Sequence, residues 1–292
     1  MAIFSRQPTR ADVTAAASTR VPSSRSRPRT TPAETHLDDK TRLWLTCAVM
    51  LAASAAIFVM GKRRTHGEEM QTILHGLVPI VAACSYFAVA IDQGAVQLPL
   101  GAVAPAGRLF YWARYVDWTF TTPMLLLALS CTAMHSGIRR AGAVFGMIAS
   151  DVLMILTGLF FGFSEVAWIK WTWFLVSCIA FLGVYYVMFV QLMEENAREA
   201  PHAQSIYRRD ALLLAVVWFL YPVVLAISPD GLSVVGSATG VVLIAVLDVV
   251  AKVVFDIMST LSDTRLTDEQ LRQPGTREQG RFTTTGRPVA AE

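Results

Sequence analysis

Leu109–Met134 reads LFYWARYVDWTFTTPMLLLALSCTAM, an apolar run with Arg114 and Asp117 set into its first half. A bilayer core about 30 Å thick is crossed by roughly 20 residues of helix, and this run exceeds that length. A charge at bilayer depth costs about 2.5–3.5 kcal/mol, so Arg114 and Asp117 must face a protein interior rather than lipid. The run therefore predicts one transmembrane helix within a bundle. Working outward, six further runs of similar character appear: Leu43–Met60, Met70–Ile91, Ala143–Phe163, Trp168–Leu192, Ala211–Ile227 and Leu232–Ile257. The sixth span in chain order is short, but Tyr207-Arg208-Arg209 before it can extend it at the interface. The expected architecture is all-α: a seven-transmembrane-helix bundle over residues 43–258, a disordered extracellular tail over 1–42 and a cytoplasmic tail over 259–292.

Composition supports the same class. Of the 292 residues 54% are hydrophobic and 16% charged, with mean hydropathy +0.47, whereas soluble domains carry about 25% charged residues. The net charge of +3 does not imply nucleic acid, because the Arg residues sit in tails and loops without an aromatic-interleaved face. Cys47, Cys84, Cys131 and Cys178 fall in apolar runs, with neither zinc-site spacing nor disulfide density, and are expected to pack as small hydrophobes. No metal site is expected. Residues 1–42 lack the apolar stretch of about 7–15 residues that a signal peptide needs, and both tails have too few apolar residues to bury.

Seven spans put the termini on opposite sides. The loops after spans one, three and five hold Lys62-Arg63-Arg64, Arg139-Arg140 and Arg198 with Arg208-Arg209; those after two, four and six hold little beyond Arg108 and Lys170. Since short cytoplasmic loops are enriched in Lys and Arg, the C-terminus is expected inside and the N-terminus outside, in a plasma membrane. Arg6, Arg10, Arg20, Arg25, Arg27 and Arg29 in the N-terminal tail oppose this, but three loops outweigh one tail, since orientation is counted mainly within about 15–20 residues of the span ends.

Inside the spans stand His75, Arg114, Asp117, Asp151, Asp248, Lys252 and Asp256, each a functional candidate by default. Arg114, Asp117 and Thr121 share one face of span three, and Asp248 and Lys252 one face of span seven. Spacing alone leaves two readings open: a pair of buried salt bridges that fixes packing, or a reactive site.

The run Tyr111-Trp112-Ala113-Arg114-Tyr115-Val116-Asp117-Trp118 with Thr121-Thr122-Pro123 is similar to the third helix of microbial rhodopsins of the bacteriorhodopsin type. Trp218-Phe219-Leu220-Tyr221-Pro222 resembles their sixth helix, and Leu247-Asp248-Val249-Val250-Ala251-Lys252 their seventh. The match runs over about residues 43–258, and Ser85-Tyr86-Phe87-Ala88 looks more like the fungal branch. The resemblance implies all-trans retinal held as a Schiff base on Lys252, with Asp117 and Asp248 as counter-charges, Arg114 offsetting the excess negative charge and Thr121 bonding Asp117. It implies a pocket of Trp118, Trp218, Tyr221, Tyr115, Tyr86, Thr122, Asp151, Met154, Gly158, Trp173, Ser177, Phe181 and Pro222, with Thr122 as partner of Asp151. It implies a light-driven transporter or sensor, not an enzyme, whose partners are the lipid bilayer and protons, with homo-oligomer and transducer left open.

Two positions depart from an outward proton pump. The usual cytoplasmic donor on span three, eleven residues after Asp117, falls at Ala128. Of the outer release pair, Asp230 matches one member while Gly240 stands at the other. Asp117 disfavours a chloride pump, because a fixed negative charge repels an anion there, and Thr121 replaces the extra Asp of a sodium pump. A proton pump with an unusual donor and a sensory photoreceptor both remain open. For the donor, His75 has suitable chemistry, since imidazole both accepts and gives protons near neutral pH; a structural histidine and Asp256 are the rivals.

Overall fold

The computed structural model describes residues 32–99 and 108–272. The chain divides into units 1–38 and 39–292; of the first, only the helical residues 32–38 are described. Seven helices stand among the described residues: α1 (Pro32–Met60), α2 (His66–Ala90), α3 (Trp112–Ala133), α4 (Ala141–Phe163), α5 (Ala167–Asn196), α6 (Pro201–Ile227) and α7 (237–272). Between α2 and α3, β1 (Val96–Leu98) and β2 (Arg108–Phe110) pair antiparallel with Gln97 opposite Leu109, a hairpin the sequence reading did not anticipate. One end of the bundle therefore carries the hairpin and the α4–α5 and α6–α7 loops. The other carries the α1–α2, α3–α4 and α5–α6 loops.

Local chemistry explains the helix ends. Thr65 caps α2, its hydroxyl accepting from the Glu68 N–H at 3.2 Å, and Pro201 starts α6, where its missing N–H costs nothing. Pro79, Pro123 and Pro222 lie inside helices and remove the donors for the carbonyls of His75, Thr119 and Trp218, four residues back. Two helices outrun expectation. The tail assigned to 1–42 is helical from Pro32, a start favoured by proline at the first helical position and by the Ala, Glu, Lys and Arg that follow. The tail assigned to 259–292 is helical to Arg272, because Ser259, Thr260, Ser262, Asp263 and Thr267 are buried among polar partners instead of lacking anything to bury. Residues 1–31 and 273–292, the rest of both tails, lie outside the described residues.

Five helices, α1, α2, α4, α5 and α6, are long and apolar enough to cross a membrane; α3 and α7 carry the inward charges. Outward-facing Phe120, Phe145, Leu182 and Phe219 are more than half exposed, a cost in water and the normal surface of a helix in lipid. The chain is an integral membrane protein. Inside, α2 packs on α3 and α7, and α3 on α4 and α6. One apolar cluster centres on Leu125, Leu129, Val184, Leu214 and Phe255 and another on Tyr115, Trp118, Ile244 and Ala251.

Candidate functional site

Lys252 sits in a π turn of α7, Val250–Val254, and is 1% exposed. Its Nζ donates to Asp117 Oδ2 and lies 3.2 Å from Asp248 Oδ1. The two carboxylates are not equivalent. Asp248 accepts from Tyr86 Oη at 2.6 Å, Tyr221 Oη at 2.8 Å and Trp118 Nε1 at 3.3 Å, so α2, α3 and α6 all hold its charge in place. Asp117 keeps Oδ1 without a hydrogen-bond partner. Thr121 is one turn away as expected, and its hydroxyl donates to the Asp117 backbone carbonyl at 2.9 Å. Arg114 stands on the same helix one turn before Asp117, its guanidinium carbon 4.3 Å from the Tyr111 ring centre.

From Lys252 a pocket runs between α3, α4, α5 and α6. Of the residues assigned to it, Tyr115, Trp118, Thr122, Met154, Gly158, Ser177, Phe181, Trp218, Tyr221, Pro222 and Lys252 line it. Three do not. Tyr86 serves Asp248 instead; Trp173 packs on Phe160, ring centres 5.0 Å apart; Asp151 lies behind Thr122, whose hydroxyl donates to it at 2.6 Å. Leu125, Ile155, Phe161, Phe174, Cys178, Leu225 and Ala251 complete the wall; generic apolar residues give the sequence no signal for these positions.

At the hairpin end, Asp230 is joined not by a second carboxyl at Gly240 but by Arg108 of β2. Arg108 also donates to the Gly162 carbonyl and to Glu165 Oε1, the latter at 3.0 Å. Burial pushes the Asp230 carboxyl above the ordinary range, with Arg108 opposing that rise. Both Arg108 and Lys170, read from sequence as loop charges, are buried.

On the other side of Lys252, His75 and Asp256 are both fully buried and bonded, Nδ1 to Oδ1, at 2.7 Å. The two rivals for the donor role are thus one unit. Asp263, Thr132 and Gln71 surround it: Thr132 Oγ1 donates to Asp263 at 3.3 Å and accepts from Gln71 Nε2 at 3.2 Å. Near them Asp210 accepts from Ser259 at 3.1 Å.

A seven-helix membrane bundle with one lysine buried against two carboxylates, at the end of an aromatic pocket, defines a small class of proteins. Residues 38–266 match the family model described as bacteriorhodopsin-like protein, and the chain belongs to that family. It is 34% identical to archaerhodopsin-2 of Halobacterium sp. (strain aus-2) over 200 residues, 68% of this chain and 74% of that protein. Among solved structures it is similar to the light-driven proton pump LR (Mac) from Leptosphaeria maculans, with TM-score 0.72 and 28% identity over 78% of this chain and 96% of that one. Halorhodopsin, a light-driven chloride pump, is similar as well, with TM-score 0.71 and 25% identity over 78% and 96%.

Members of this family bind retinal through a Schiff base to a lysine. The residues here fit that group. The pocket wall is aromatic and aliphatic, Lys252 is the only lysine on it among the described residues, and Asp117 Oδ1 beside it is a buried acceptor with no partner.

Proposed function

We propose that this protein is a light-driven outward proton pump, with all-trans retinal carried on Lys252. The observation that carries the reading is the buried His75–Asp256 pair, which stands on the far side of Lys252 from Asp117 and Asp248 and offers the second proton store that Ala128 lacks. When bound, retinal supplies light absorption and the isomerisation that follows it. The chain's own residues handle the proton. Lys252 Nζ passes it to Asp117 Oδ2, with which it already shares a hydrogen bond. Asp248 is already engaged by three donors, whereas Asp117 Oδ1 has no hydrogen-bond partner, so Asp117 is the acceptor of the two. His75 and Asp256 then return a proton to Nζ from the opposite side. Trp118, Trp218 and Tyr221 line the pocket and would hold the polyene, with Thr122, bonded to Asp151, in the wall beside them.

The loop charges orient the bundle. Lys62-Arg63-Arg64, Arg139-Arg140 and Arg198 lie at the end away from the hairpin, which puts that end and the C-terminus in the cytoplasm and the N-terminus outside, in a plasma membrane. Transfer from Nζ to Asp117 then runs outward, toward Arg114 and the Arg108–Asp230 group. The negative charge of Asp117 beside Lys252 repels an anion and separates this reading from chloride transport.

Illuminated cells or vesicles holding the full chain should acidify the outer medium, and a protonophore should abolish the signal. His75→Ala should keep colour but slow return of the proton to Lys252, with a rate that falls as pH rises. A coloured protein that moves no protons would discard the pump and leave a sensory photoreceptor.

A further inference from the structure

Beyond His75 the bundle contains a cavity that the proposed cycle has not used. It lies at the cytoplasmic end, between the start of α2, the end of α3 with its following loop, and the extension of α7, lined by Gly67, Gln71, Cys131, Ser136, Asp263 and Thr267 among others. Its wall is unusually polar for a space between membrane helices, and its inner end is Asp263, 3% exposed. Asp263 Oδ1 accepts from Thr132, while Oδ2 has no hydrogen-bond partner. That free oxygen lies 3.7 Å from His75 Nε2, which also lacks a hydrogen-bond partner. Gln71 Oε1, on the cavity wall, is a third buried polar atom left unbonded. Two of these atoms, Gln71 Oε1 and Asp263 Oδ2, belong to the cavity wall, and His75 Nε2 stands behind Asp263; they are costly unless the space is wet, because a buried polar group without a partner costs about 1–3 kcal/mol, and a polar cavity with several acceptors is where internal water is held.

We propose that this cavity is the proton-entry site and that Asp263 is the relay that recharges His75. The inference rests on the pump reading above. A proton arriving through cavity water adds to Asp263 Oδ2 and passes to His75 Nε2. His75 releases one from Nδ1 to Asp256, and Asp256 makes good the proton that Lys252 gave to Asp117. One proton enters for each that leaves. Other charged groups nearby are committed elsewhere: on α2, Glu68 is held by Arg64 at 2.8 Å; on α6, Asp210 is held by Arg209 and Ser259. Cys131 of α3 and His135 in the loop that follows it also line the cavity.

The test uses the full chain with retinal bound, in lipid vesicles, followed by visible flash spectroscopy, a pH-indicating dye and infrared difference spectroscopy. In Asp263→Asn the first flash should be followed by normal return of the proton to Lys252, because the His75–Asp256 store is already filled. A second flash soon after should find it empty, with recovery slowed by about a hundredfold, the low end of what a positioned acid–base group contributes. The carboxyl stretch that changes during recharging in the wild type should vanish, and Asp263→Glu should restore both signals. Gly67→Phe supplies an independent arm: a Cβ there meets nothing within 4 Å, so it narrows the mouth without touching the cluster, and should slow recharging likewise. If Asp263→Asn loses its colour, Gly67→Phe decides alone. A wild type that takes up protons on this side while both variants recharge at its rate overturns the relay but spares the pump; a wild type that takes up none overturns the pump itself.

Discussion

Arg108 offers the sharpest test of how the hairpin end is held. Its side chain is 4% exposed, and its guanidinium serves Asp230, Glu165 and the Gly162 carbonyl together. Arg108→Met keeps much of the bulk but leaves two carboxylates and a carbonyl without their donor. Removing one partner of a buried ion pair costs about 3–5 kcal/mol, well above the value of the intact pair, because the remaining charge stays desolvated. For a chain of this size each kcal/mol shifts the midpoint by about 2–4 °C, so thermal loss of the visible band in detergent should move down by roughly 6–20 °C. Adding Asp230→Asn should recover part of that loss, with a coupling of about 1–3 kcal/mol. The pH dependence has a fixed sign. Because burial raises the Asp230 carboxyl in the folded protein, that group favours folding when protonated, below its unfolded value of 3.8, and loses this contribution as pH rises through its folded value. Without Arg108 the rise is larger, so the deficit of Arg108→Met should shrink on acidification. A variant within about 0.5 kcal/mol of wild type, or a double variant no better than the sum of the singles, would refute the reasoning.

Three further outcomes follow from the same geometry. Lys252→Ala should show no visible band after addition of all-trans retinal, and colour regained without an added amine would remove Lys252 from its role. Asp117→Asn should shift the band red and stop light-driven deprotonation, while Asp248→Asn, which replaces one of two accepting oxygens by an amide donor facing its partners, should lower the thermal midpoint more; reversed effects in spectroscopy and melting would exchange the two assignments. In the α5–α6 loop, burial tends to raise the Glu199 carboxyl, but bonds from Ser136 and Arg139 outweigh it and hold the carboxyl below the usual 4.5. Its stabilising contribution is therefore complete above 4.5 and lost as pH falls through its lower folded value, so Glu199→Gln should differ from wild type at neutral pH and converge with it in acid.

The bundle was legible because each membrane helix is written locally, as about 20 apolar residues in a row. The Lys252 site was legible because Asp117 and Asp248 stand at helical spacings inside such runs, where charge is rare. What sequence hid was pairing between distant segments. His75 and Asp256 were both named, yet they lie 181 residues apart and nothing local announces that they touch. The hairpin was missed because strands of three residues are too short to show alternation and owe their register to α2 and α3. Arg108 was read as a loop charge because its burial depends on Glu165 and Asp230, contributed by two other connections. The α7 extension reads as a tail in sequence since its Ser, Thr and Asp residues resemble solvated chain, and only their partners on α2, α3 and α6 bury them.

The π turn around Lys252 has a geometric consequence. Eight residues separate Asp248 from Asp256, and in an uninterrupted α-helix they would stand about 80° apart around the axis. A π turn accommodates one surplus residue, so the pair behaves angularly like residues seven apart, within about 20° of alignment. On α2, Tyr86 and His75 are eleven residues apart, which is three helical turns and nearly aligned too. The surplus residue thus acts as a phase shim that lets one face of α7 meet one face of α2 at two depths, Asp248 with Tyr86 and Asp256 with His75. Regularising Val250–Val254 into α-helix with every residue kept would swing everything beyond it by about 100° and separate the two contacts with α2, whereas excising a single residue there would leave a continuous helix with Asp248 and Asp256 still on one face.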